Sequence, residues 1–178
     1  MITVRNFRYT DYKEIQKHIP EWKKRRLNYD IDYLNIEKML QCLMFFNEKN
    51  LAMISGIDSL DEFVPNTYRI LTKAITTRYR PKCWGEYLEE RFFSNGMAGI
   101  SIKFCETINS HKSIVITTNL GSRIDQLVKK SKTKWLINRN IVQIYGVDQS
   151  VWDIDIQKCK NMTNEWIDKL NVKIEGTS

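Results

Sequence analysis

Residues 67–88 constrain the fold more than any other part of this chain. Tyr68, Ile70, Leu71 and Ile75, set among threonines, favour a long extended strand. Arg78, Arg80 and Lys82 then form a basic turn around Pro81, and residues 84–93 read as a helix with Leu88 and Phe92 on one face. A strand that feeds a cationic turn and a helix start is a natural anion site. Free amide N–H groups and the positive end of the helix dipole converge there. In sheets with parallel neighbours, such corners sit at the carboxyl ends of strands, where ligands bind.

The rest of the sequence supplies partners for that strand. Ile2 to Arg5 reads as a short strand. A helix capped by Thr10 or Asp11, with Glu14 as capping-box partner, is expected to stop before Pro20. Tyr33, Ile36, Leu40 and Leu43 recur at helical spacing, which predicts a second helix over 32–46. Residues 51–57 read as a strand, 58–65 as an acidic turn. Alternation of Ile100, Ile102 and Phe104 with polar residues predicts another strand. Residues 111–130 are ambiguous: Ile114, Val115 and Ile116 favour strand, whereas Ile124, Leu127 and Val128 favour helix. Residues 141–147 and 150–156 read as a hairpin about Asp148-Gln149, and 162–170 as a short helix packed through Trp166. Helices lying between strands demand some parallel pairing. The expectation is one α+β (mixed α/β) domain over residues 1–178, with a central mostly antiparallel, partly parallel sheet flanked by helices.

Composition narrows the partners. The 178 residues carry a formal charge of +7, which favours nucleic acid, a phosphorylated cofactor or another polyanion. The four cysteines form no C-x-x-C pair and there are two histidines, so no metal site is expected. Residues 1–5 show no signal-peptide pattern and no apolar run reaches membrane-spanning length, so a cytoplasmic chain is expected.

The element order and the corner together resemble the GNAT acyltransferase superfamily. In that family a loop after the fourth strand, of pattern Arg/Gln-x-x-Gly-x-Gly/Ala, holds the pyrophosphate of coenzyme A. Here Arg80-Pro81-Lys82-Cys83-Trp84-Gly85 takes that place; Arg80 and Gly85 match, and Cys83 stands where the first glycine is expected. Three further segments resemble a divergent, phage-type branch: Ile2-Thr3-Val4-Arg5-Asn6-Phe7, Thr107-Ile108-Asn109-Ser110-His111-Lys112 and Tyr145-Gly146-Val147-Asp148-Gln149-Ser150-Val151-Trp152. Lys112 replaces the second asparagine of the expected segment.

The resemblance implies an acyl-CoA-dependent N-acyltransferase, with acetyl-CoA or another acyl-CoA as donor and an amine of unknown identity as acceptor. Arg78, Arg80 and Lys82 would neutralise the phosphates, while the amides of Cys83, Trp84 and Gly85 would form the cradle. The strand up to Ile75 would hydrogen-bond the pantetheine arm. Asn109, placed after the fifth strand, and Tyr145 are the candidate catalytic residues. In many GNAT enzymes an acidic tyrosine lies on the helix after the fifth strand, and residues 112–131 contain none. Glu62, Glu86 and Glu106 are candidate bases. Two other readings stand beside this one. The chain could be a GNAT-fold phage protein without acyl transfer, acting as a binding or host-modulating module. Alternatively, Lys23-Lys24-Arg25-Arg26 with Trp22 and Tyr29 could grip nucleic acid, phosphates on the cations and bases on the rings.

Overall fold

The computed structural model describes residues 1–24, 35–75, 100, 113–130 and 135–176. Eight strands form one mixed sheet: β1 (Ile2–Asn6), β2 (Gln41–Asn47), β3 (Asn50–Ser59), β4 (Thr67–Ile75), β5 (Ser113–Asn119), β6 (Leu136–Ile144), β7 (Val147–Ile154) and β8 (Val172–Ile174). Their order across the sheet is β6-β7-β5-β4-β3-β2-β1-β8. The β4/β5 and β1/β8 pairs are parallel and the others antiparallel. The expected α+β fold with a mostly antiparallel sheet is therefore observed.

Three helices are described: α1 (Tyr12–Lys24), α2 (Arg123–Lys130) and α3 (Ile156–Leu170). Side chains alternate between two apolar layers. Val4, Leu43, Phe45, Ile57, Tyr68, Ile70, Ile114 and Ile154 point to one face, where Cys159 of α3 closes the core. Cys42, Met44 and Ile54 point to the other, under Ile15 and Trp22 of α1. Farther along that second face, Val115, Ile144 and Val151 pack under Leu60, Phe63 and Val64 of the β3–β4 loop.

Five expectations are corrected here. The helix expected over 32–46 is a short 3-10 turn (Ile36–Lys38) followed by strand β2, with residues 32–34 outside those described. Cys42, Leu43, Met44 and Phe45 are all buried, because a strand covered on both faces presents a continuous apolar run that helical periodicity can mimic. Helix α1 runs through Pro20 to Lys24. Proline so near a helix end removes one backbone hydrogen bond, and burying Trp22 beyond it outweighs that loss. The expected strand at 100–105 begins with Ile100, which is buried in helical backbone, and residues 101–105 lie outside those described; the fifth strand among the described residues is Ser113–Asn119. The hairpin exists, but its turn is Tyr145-Gly146 rather than Asp148-Gln149. Tyr145 (φ 49°) and Gly146 (φ 77°) both adopt the left-handed backbone that two-residue turns between twisted strands favour. The last helix also starts before residue 162: the Asp155 carboxylate accepts from the Lys158 amide at 3.1 Å and caps α3.

Candidate functional site: a fork in the sheet

Parallel strands β4 and β5 pair through three rungs, Thr67 with Ser113, Tyr68 with Ile114 and Arg69 with Val115. Beyond these rungs the two strands run on without pairing to each other. Strand β4 stays on β3 as far as Ile75 opposite Met53, and β5 stays on β7 as far as Asn119 opposite Gln149. The sheet thus forks into two leaves whose facing edges are the carboxyl halves of β4 and β5. On its far side β4 is irregular: Ile54 pairs with Ala74 but Ser55 with Thr72, so Lys73 is an extra residue. Such a bulge bends the strand and re-aims its backbone, here along the edge that β5 has left.

Polar side chains flank the fork on both faces. On the α1 face, the Arg69 guanidinium donates to both carboxylate oxygens of Asp58, at 3.0 and 2.6 Å, and reaches across to Thr117 Oγ1 at 3.4 Å. Arg69 belongs to the last shared rung, so it joins the leaves where pairing stops. On the other face, Asp125 of α2 is fully buried. It accepts from Thr118 Oγ1 at 2.7 Å and from the Gly121 amide at 3.0 Å, with Lys129 Nζ at 3.3 Å and Arg139 at 3.9 Å. Trp152 Nε1 donates to Thr118 at 3.3 Å, Arg139 Nε donates to Ser150 Oγ at 3.0 Å, and the Arg139 guanidinium lies 5.5 Å over the Trp152 ring. Burial is the largest influence on the Asp125 carboxyl and opposes its ionisation. Hydrogen bonds from Ser150, the Gly121 amide and Thr118, with Lys129 beside them, outweigh burial and hold it at about 2. The network ties the end of β5 to α2 and β7. Its sequence signal is Ser122-x-x-Asp125, a helix start in which the Asp125 amide donates to Ser122 Oγ at 3.1 Å while the Asp125 carboxylate reaches back to the Gly121 amide.

Of the residues singled out in the sequence, Ile75 ends β4 on one leaf of the fork. Arg78, Arg80, Lys82, Cys83, Trp84, Gly85 and Asn109 lie outside the described residues, as do Glu86, Glu106, His111 and Lys112. Asn109 precedes Ser113–Asn119, the fifth strand among the described residues, which itself ends in an asparagine, Asn119. Tyr145 sits at the hairpin tip, 75% exposed, edge-on to Phe63 with ring centroids 4.7 Å apart. Glu62 lies in the β3–β4 loop. Trp22 is buried to 1% exposure and stacked on His18 at 5.8 Å, so its ring is not offered to a nucleic-acid base. No group of three or more His, Cys, Asp and Glu side chains that could hold a metal occurs among the described residues. No helix among them is long and apolar enough to cross a membrane.

No family model matches the sequence, and no curated protein sequence does either. The fold, in contrast, matches solved structures. A spermidine N-acetyltransferase chimera from Vibrio cholerae and hSSAT superposes with a TM-score of 0.56 at 13% identity, over 90% of this chain and 98% of that one. Ard1 from Thermoplasma volcanium gives 0.55 at 14% identity, over 86% and 97%. A Bacillus subtilis acetyltransferase in complex with CoA gives 0.53 at 13% identity, over 87% and 99%. The chain has the fold of GNAT-family acetyltransferases.

Proposed function

We propose that the chain, read as one domain, is an acyl-CoA-dependent N-acyltransferase that transfers its acyl group directly to an amine. The observation that carries this reading is the fork: a strand edge left unpaired between two parallel strands can hydrogen-bond an extended, amide-bearing substrate as a missing strand would. Pantetheine has that form, and it would lie along the stretch of β4 that ends at Ile75. The basic residues Arg78, Arg80 and Lys82 would meet its phosphates, and the amides of Cys83, Trp84 and Gly85 would cradle them.

In the reaction the free amine attacks the thioester carbonyl and a C–N bond forms. Strand amides near the Lys73 bulge would polarise the carbonyl oxygen. The C–S bond then breaks, the thiolate leaves and takes up a proton, and the amine nitrogen loses one to solvent. Asn109 and, at the end of β5, Asn119 are the asparagines that would orient the leaving thiolate, and Tyr145 is the candidate proton donor. Acetyl is the proposed acyl group, because N-acetyltransferases share this fold; the fold sets no acceptor.

Calorimetric titration with acetyl-CoA tests this. Binding that is lost in Arg80→Ala/Gly85→Glu supports the assignment, and no heat at high ligand concentration would sink it. A second reading has a specific observation in its favour: α2, the helix after the fifth strand, carries no tyrosine, and Cys83 replaces a loop glycine. Acyl-CoA binding without turnover on any amine would select this reading, a GNAT-fold binding module.

A further inference from the structure

A cleft of about 580 Å³ opens well away from the fork, where β1 ends and β2 begins. Strands β2 and β3 separate it from β4. Its size suits a small organic molecule. Phe7 and Tyr9 form one wall, and Tyr12 stands behind them, so that three rings pack edge to face or tilted with centroids 5.0 to 6.2 Å apart. Met39 and Leu40 give an apolar floor, with Leu40 48% exposed.

The charge on this wall runs against the rest of the chain. The protein carries +7 overall, yet among the described residues no lysine or arginine lines the cleft and Glu37 does. Tyr12 donates a long hydrogen bond of 3.4 Å to Glu37 Oε1. Burial first, and then the Glu37 charge, raise the Tyr12 phenol, which keeps its proton and stays a donor. Among the described residues no cation lies within ion-pair distance of Glu37. A carboxylate beside exposed aromatic rings, over an apolar floor, attracts a positively charged group that carries an apolar body. An anion would meet the carboxylate and the negative ring faces, and a neutral molecule would use only the floor.

We infer that this cleft is a binding site for a small organic ammonium ion, whose cation sits between Glu37 and the Tyr9 ring and whose apolar part lies on Met39 and Leu40. The inference does not rest on acyl transfer and is tested without acyl-CoA. Tyramine, 4-ethylphenol and 4-hydroxyphenylacetate carry a positive, no and a negative charge on similar frames. Each is titrated into the full chain and followed through backbone amide NMR signals. Tyramine is expected to move the signals of Phe7, Glu37 and Leu40 and to bind about tenfold more tightly than 4-ethylphenol. Glu37→Gln should remove that preference, and Tyr9→Leu should weaken tyramine severalfold; both positions are exposed, so the fold is kept. Equal affinity for the three compounds, no shifts with tyramine, or shifts confined to residues 117–119 at the fork would overturn the inference.

Discussion

The two leaves of the fork are held together by different physics. The leaf made of β8, β1, β2, β3 and β4 is apolar on both faces: Leu43, Met44, Phe45, Ile54 and Ile57 are all fully buried. The leaf made of β5, β7 and β6 is centred on a buried carboxylate and a chain of hydrogen bonds, and Ile137 and Ile141 on its outer strand are more than half exposed. Dispersion and burial tolerate small shifts, whereas a hydrogen-bonded charge demands fixed geometry. The first leaf therefore acts as ballast, and the second as the part whose position is specified. A site between them needs both, since one wall of the cleft must be stable and the other must be aimed.

Substitutions sharpen this contrast in order of expected effect. Phe45→Ala opens a cavity in the first leaf and should cost about 4 kcal/mol, read as a large drop in melting temperature of the whole chain. A small or local loss would mean that the leaves unfold separately. Asp125→Asn tests the second leaf and should cost about 2 kcal/mol at neutral pH, because the carboxyl falls from 3.8 unfolded to about 2 folded. The sign follows from that depression: the contribution is complete above pH 3.8 and is lost as pH falls through about 2. Wild type and Asp125→Asn should thus converge in urea melts near pH 2; a constant difference would assign the loss to packing instead. Arg69→Met cuts the link between the leaves and should cost about 1 kcal/mol, with a severalfold loss of acetyl-CoA affinity in calorimetry. Unchanged affinity would free the fork from the Arg69 clamp. Tyr145→Phe should alter stability by less than about 0.5 kcal/mol and slow any acyl transfer about a hundredfold. Equal turnover would remove Tyr145 as proton donor.

Much of the first leaf was legible in the sequence, because strands β1, β3 and β4 carry local signals; the hairpin was legible as a strand pair, but its turn was read three residues too late, since only the left-handed backbone of Tyr145 and Gly146 marks it. Strand β2 was not. Its apolar residues fill both faces, and period 2 disappears when every position is buried. Residues 111–130 were ambiguous for a related reason: Ile114, Val115 and Ile116 favour strand while Ile124, Leu127 and Val128 favour helix, and only packing fixes where strand β5 stops and helix α2 starts. Of the site, the strand edge could be inferred, but the length of the β4/β5 ladder could not, because three rungs and then none is a property of two distant segments. Asp125 had a Ser-x-x-Asp helix start in plain letters, with Gly121 and Lys129 within one turn; its burial and the approach of Arg139 come from the tertiary fold. Strand β8 is three residues long, below what any periodicity can register.

That short strand has a consequence in time rather than in space. β8 lies parallel to β1, Ile2 beside Val172, and the Glu175 amide donates to Val4 O at 2.8 Å. The outer edge of β1 is therefore covered by residues synthesised long after it. Throughout elongation β1 and β2 can pair while that edge stays bare, a template for any passing strand. Closing it joins segments separated by nearly the whole chain, the kind of contact that forms late and slowly. The nascent chain thus stays exposed to mispairing along this edge until Val172 to Ile174 have emerged.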